Sequence, residues 1–155
     1  MGVRVLALLP YPVGRVPGQR YRIEQWAPTL AREGIEITFS PFLSPQAMDT
    51  LYQPRGSLVK ALETMRGYFR RLRELRRVSA HDVAFVFREA TLLGPPLVER
   101  LIARRLPLVL DFDDAIYLPP ANPVNSWSRW LRDPKKTETL CRLARHVTVG
   151  NETLA

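Results

Sequence analysis

The chain has 155 residues, 46% of them hydrophobic and 25% charged, with a formal net charge of +8. That length and balance describe one folded domain with a sizeable core, and exclude a disordered chain or two domains of ordinary size. A lone cysteine, Cys141, excludes an internal disulfide and a cysteine-rich zinc site and is compatible with a reducing cytoplasm, and no run is long and apolar enough to span a bilayer.

Val3–Leu9 is an apolar run, with Arg4 its one charged residue, that reads as a buried strand; Pro10 and Pro12 break it too early for a signal peptide. After the loop "PYPVGRVPGQR", the spacing of Ile23, Trp26, Ala27, Leu30 and Ala31 predicts a helix over Tyr21–Glu33, with Trp26 in the core and Gly34 as C-cap. "IEITFS" alternates and is β-branched, a second strand, and "PFLSPQAMDTLYQPRGS" reads as a long irregular connection. A basic helix over Leu58–Val78 follows, with Leu58, Leu62, Met65, Phe69, Leu72 and Leu75 in one stripe. Its Lys60, Arg66, Arg70, Arg71, Arg73, Arg76 and Arg77 face only Glu63 and Glu74, so most of the net charge lies here. Such a face is either solvated or meets an anionic partner: nucleic acid, lipid headgroups or a phosphorylated ligand. "DVAFVF" is the third strand, "GPPLVERLIARR" a helix with prolines in its first turn, and "LPLVLDF" the fourth strand. Helical pieces are expected at Ser126–Leu131 and Lys135–Ala144, with Cys141 buried in the second, before a fifth strand, "HVTVG". Asn151 suits the N-cap of "ETLA", where the sequence stops after one turn; the expectation is a piece of a longer protein.

Strands alternating with helical crossovers predict an α/β fold, a Rossmann-like doubly wound parallel sheet with helices on both faces. Ligands of such sheets bind beyond the carboxyl ends of the strands, which singles out the loops at 10–20, 87–96, 111–120 and 150–153. Three features there carry chemistry. "VLDFDDA" crowds Asp111, Asp113 and Asp114. They fit the Asp-x-Asp outline of a magnesium phosphohydrolase, a turn cap at Asp111 with two solvated acids, or an acceptor for a sugar or alcohol hydroxyl. Against the phosphohydrolase reading, that family carries the motif on its first strand and here it ends the fourth, and its later lysine and paired acids need a longer stretch than the 41 residues after Asp114. "VGRVPGQRYR" places Gly14 and Gly18 before Arg20 and Arg22 at a helix start, which suits phosphate, although neither G-x-G-x-x-G nor a P-loop is present. Arg88 and Glu89 end the third strand as a mutual ion pair or as cleft residues. Trp127 and Trp130 share a helical face, for packing or for stacking on a sugar ring. His81 and His146 each begin a strand and have no partner for metal or base chemistry, and no Ser/His/Asp triad assembles.

In order and spacing, these segments resemble the N-terminal half of GT-B glycosyltransferases, the retaining group-1 (family 4) enzymes. The resemblance runs through nearly the whole chain: "VRVLALLPYPVGRVPGQRYRIEQWAPTLAREGIEITFSP" is similar to the family's opening strand, glycine loop, helix and second strand. "HDVAFVF" and "LPLVLDFDDA" are similar to its third and fourth strands, and "ARHVTVGNETLA" to its "AD-x-V-x-x-x-S-x-x-LA" segment. The resemblance implies that residues 1–155 are the acceptor-side domain, one half of a GT-B fold, and inactive alone. The donor-binding domain, with its E-x7-E motif, would lie beyond them. It implies Gly14 and Gly18 on the donor diphosphate, with Pro17 where the family has the first glycine. Asp113 stands where many members have histidine, and with Asp114 is the candidate catalytic pair. Arg20, Arg22, Arg88, Glu89 and Asn151 are implied on the acceptor side. No permanently bound cofactor and no metal are implied; the donor would be a nucleotide-diphosphate sugar and the acceptor a hydroxyl on a sugar, lipid-linked or small molecule. The family reading implies a cytoplasmic protein whose Leu58–Val78 helix docks on an anionic inner membrane face. The alternative is a stand-alone basic module for an anionic partner. Nucleic acid is disfavoured as that partner, since the aromatic interleaving of single-strand binders is missing.

Overall fold

The computed structural model describes residues 2–51, 57–116, 133 and 135–154. Strands β1 (Val3–Leu9), β2 (Ile35–Pro41), β3 (Val83–Phe87), β4 (Leu108–Phe112) and β5 (His146–Val149) form one sheet, in the order β2-β1-β3-β4-β5, with every pair parallel. Parallel neighbours require crossovers. Helices α1 (Pro17–Arg22), α2 (Ala27–Arg32), α3 (Pro45–Leu51), α4 (Ser57–Leu75), α5 (Leu97–Ala103) and α6 (Lys136–Leu143) lie between the strands. The fold is the α/β, Rossmann-like doubly wound sheet that the alternation predicts.

Strand residues alternate between the faces, and the core divides accordingly. Leu6 and Leu8 join Val86, Leu108 and Leu110 in a cluster closed by Val98 and Ile102 of α5 and Leu140 of α6. Ala7, Leu9 and Phe87 point the other way and pack with Ile23 at the end of α1. Each buried leucine contributes roughly 1.5–3 kcal/mol, more than an exposed ion pair at about 0–1 kcal/mol, so these faces hold the sheet. A third cluster of Phe42, Leu43 and Ala47 takes in Tyr11, Tyr68 and Leu92. There the rings of Phe42 and Tyr68 meet edge to face, with centroids 5.4 Å apart.

The elements depart from the sequence expectations in ways that proline explains. The helix expected over Tyr21–Glu33 is divided: α1 starts earlier, with Pro17 in its first turn, and a 3-10 turn at Glu24–Trp26 precedes α2, which has Pro28 in its first turn. Trp26 is therefore not in the core but 52% exposed, its indole N–H donating to the Tyr21 carbonyl at 3.0 Å. Gly34 does follow α2 with φ 77°, the left-handed geometry of a helix end. The connection after β2 contains α3, begun by Pro45 and capped by Ser44, whose Oγ accepts from the Ala47 N–H at 3.0 Å. The prolines before α5 stand outside it, with Pro96 as N-cap. The basic helix ends at Leu75, and a 3-10 turn covers Val78–Ala80. Cys141 is half-buried against the larger cluster rather than fully enclosed. The piece expected at Ser126–Leu131, with Trp127 and Trp130, lies outside the described residues.

Candidate functional site

In this strand order the crossovers from β1 and β3 leave in opposite directions, so a crevice opens at their carboxyl ends. The loop after β1 is braced from within. Buried Gln19 donates to the Tyr11 carbonyl at 3.0 Å, accepts from the Tyr11 N–H at 3.2 Å and donates to Glu24 at 2.6 Å. Glu24 in turn accepts from the N–H of Gly14 at 2.8 Å, where φ is 80°. The amide expected to face a donor diphosphate is thus held by a carboxylate of this chain.

Asp113, just past the end of β4, lies between two glycines at the carboxyl side of the sheet. A methyl group on Gly18 would collide with its Oδ2, and one on Gly150 would come within 3.0 Å of its Cα. Arg88 answers from the end of β3: Nε donates to Asp113 Oδ1 at 2.9 Å, and Nη2 lies 2.8 Å from the same oxygen and also pairs with Asp114. Arg88 adopts φ 60°, a left-handed backbone that costs a non-glycine residue about 1–3 kcal/mol. Its N–H donates to the Asp111 carbonyl at 2.6 Å, which fixes this turn against β4. Burial works against the guanidinium charge, but the carboxylates of Asp113 and Asp114 outweigh it and hold the pKa above the ordinary arginine value.

Asp111 is enclosed, at 2% exposed. Arg22 Nε donates to its two oxygens at 3.1 and 3.0 Å, a second guanidinium nitrogen pairs with it, and the Thr148 hydroxyl donates as well. The hydrogen bond to Asp111 raises the pKa of Arg22 further. The three crowded acids are therefore matched by two arginines, and the Asp111 carboxylate joins β4 to α1 and β5 rather than capping a turn.

The remaining sequence candidates are distributed as follows. Arg88 and Glu89 do not pair with each other: Glu89 meets Lys136 Nζ at 3.0 Å, and that buried lysine also binds Thr91 Oγ1 at 3.1 Å. Asn151 caps the 3-10 turn Glu152–Leu154, its Oδ1 accepting from the Leu154 N–H at 3.1 Å. Arg20 is exposed and lies 5.2 Å over the ring of Tyr21. The convergent set is Gly18, Arg88, Asp113, Asp114 and Gly150, with Arg22 engaged by Asp111 beside it. Among the described residues no group of three His, Cys, Asp or Glu side chains could hold a metal ion.

Sequence reasoning missed the support beneath the crevice. Arg71 of α4 is fully buried; Nε donates to the Ala90 carbonyl at 2.7 Å, Nη1 to Ser40 O at 2.8 Å and Ser40 Oγ at 2.7 Å, and Nη2 to Leu9 O at 2.8 Å. It thereby ties together the ends of β1 and β2 and the segment after β3. Burial pushes its pKa down to about 9 against the opposing pull of Glu99. Glu99 is buried too, with Oε1 accepting from the Ala90 N–H at 3.0 Å and Oε2 without a hydrogen-bond partner among the described residues. Nothing in the sequence distinguishes Arg71 from the other cations of its helix, whereas Gly150, directly after a strand, is a legible signal.

Chemically, the crevice offers carboxylate oxygens at graded exposure, 22% for Asp113 and 67% for Asp114, beside one shared guanidinium. Such oxygens accept hydrogen bonds from hydroxyl groups, and the arginine counters the charge they carry. No protein-family model matches the chain, and no curated protein or solved structure matches it.

Proposed function

We propose that this chain is the acceptor-binding half of a glycosyltransferase that moves a sugar from a nucleotide-diphosphate sugar to a hydroxyl. One observation carries the reading: Asp113, paired with Arg88 and flanked by Gly18 and Gly150, occupies the carboxyl-end crevice of a doubly wound sheet. That is where ligands of such sheets bind. An acceptor hydroxyl donates to Asp113 or Asp114, and Arg88 and the Gly18 turn orient it. The donor nucleotide belongs to a second domain in this reading, which fits the internal engagement of the Gly14 amide by Glu24. A metal-dependent phosphohydrolase is the weaker reading, because its nucleophile would be Asp111, whose carboxylate is committed to Arg22 and Thr148.

Titration calorimetry of the chain with a panel of methyl glycosides and polyols tests the proposal. Saturable binding is expected, weakened about 10–100-fold in Asp113→Asn by loss of a charge-assisted hydrogen bond. Tight binding of UDP-glucose or GDP-mannose to the chain, with no binding across the acceptor panel, would overturn it.

A further inference from the structure

Helix α4 is oriented with its polar side inward. Arg71 is buried beneath it, Lys60 is 7% exposed, and Arg70 Nη1 donates to the Pro41 and Phe42 carbonyls at 3.0 Å each. The Tyr68 hydroxyl donates to the Leu93 carbonyl, and Ser44 donates to Glu63 at 3.0 Å. Gly67 lies against Phe42, where a methyl group would come within 2.7 Å of the ring. These contacts leave the apolar stripe facing outward: Leu58 is 78% exposed, Leu62 54%, Met65 55%, Phe69 61% and Leu72 51%. At about 100° per residue the five fall within an arc roughly 80° wide, along a helix about 28 Å long. Cations border it. A groove of about 360 Å³ is lined by Arg66, Phe69, Arg70, Arg73, Glu74 and Arg77. Arg73, Arg76 and Arg77 are exposed and have no ion-pair partner among the described residues.

We infer that α4 is a docking surface for an anionic lipid bilayer, lying in the plane of the headgroups with Leu58, Leu62, Met65, Phe69 and Leu72 inserted. The charge pattern selects this occupant. A second copy of the chain would set the arginine row against the same row, and both acids of the helix are unsuited to answer it: Glu63 is already paired with Arg66, and Glu74 stands among the arginines. Nucleic acid would match the arginines but leave the stripe in water. A bilayer with anionic headgroups meets both at once, apolar side chains in the acyl boundary and guanidinium groups at the phosphates. No described helix is long and apolar enough to cross a membrane, so the contact is one of lying on the surface. The inference does not rest on the assignment of the crevice.

Flotation with vesicles of equimolar phosphatidylglycerol and phosphatidylcholine, against vesicles of phosphatidylcholine alone, tests it on the full chain. Binding to the anionic vesicles is expected, at least tenfold stronger than to the neutral ones. Phe69→Ser with Leu72→Ser should abolish it. Arg73→Gln with Arg77→Gln should weaken it about twenty-five-fold, roughly fivefold for each cation removed. All four side chains are on the outer face, and circular dichroism verifies that the variants fold. Absence of vesicle binding by the wild type overturns the inference, as does binding that survives loss of Phe69 and Leu72. A dimer or an RNA complex formed through this face in place of vesicle binding would overturn it equally.

Discussion

Replacing Arg71 by methionine tests how the sheet end is held. Methionine keeps the length and apolar stem of the side chain and removes four hydrogen bonds, to Leu9 O, Ser40 O, Ser40 Oγ and Ala90 O. At about 1 kcal/mol net per buried bond the loss is ~4 kcal/mol. Two effects reduce it: Leu9 O retains a bond from the Phe42 N–H at 2.7 Å, and the desolvation of a buried guanidinium is relieved. The expected net loss is roughly 2–3 kcal/mol, a large part of the ~5–15 kcal/mol stability typical of a domain. Urea unfolding followed by circular dichroism should place the midpoint lower by about 1–2 M. Arg71→Lys is the control, because an ammonium keeps the charge but cannot span three separate carbonyls; it should be no more stable than the methionine variant. A methionine variant within ~0.5 kcal/mol of wild type, or full recovery with lysine, would refute the clamp.

Gly18→Ala should leave overall stability within about 1 kcal/mol, since alanine favours a helix, yet push Asp113 away from Arg88. The Arg88 Nε–H resonance in NMR reports that displacement, and an unchanged shift would count against the packing described. Asp111→Ala leaves Arg22 unpaired and should cost roughly 2–3 kcal/mol, less than a fully buried pair because Arg22 is 29% exposed; a double-mutant cycle with Arg22→Met should show the two are coupled. The Arg4 hydrogen bond holds the pKa of Asp82 below its usual value, and Arg66 does the same for Glu63. Both contributions are present above the unfolded carboxylate pKa and are lost as pH falls through the lower folded values. Thermal melts should therefore decline below about pH 4, and Arg4→Gln with Arg66→Gln should flatten the decline; an unaltered slope would assign it to other groups.

The strands were legible because strands of a parallel sheet read as largely apolar runs, as in Val3–Leu9, where only Arg4 is polar, and Leu108–Phe112, where only Asp111 is. Helix limits were less so. Pro17 and Pro45 open helices in stretches that read as loop, and the spacing that runs through Pro28 hides the new start of α2, where that proline stands in the first turn. Spacing also identified the α4 stripe but not the direction it faces, since direction is settled by Arg71 and its distant carbonyl partners. In the crevice, the position of Asp113 after β4 was readable from strand order. Its pairing with Arg88, and of Glu89 with Lys136, depends on side chains brought together from separate strands and helices, which no local pattern encodes.

The contacts of Arg71 and Arg70 have one more implication. They join α4 to the ends of β1 and β2 and to the segment after β3, next to the Gly18 turn and Arg88. Helix and crevice are thus tied to the same strand ends. Any surface that the helix rests on also sets the height and heading of the crevice above it. On the proposed readings of the crevice and of α4, reach would discriminate among acceptors alongside chemical recognition: a hydroxyl projecting the right distance from that surface would be met in place, and the same group on a freely dissolved molecule would have no such advantage.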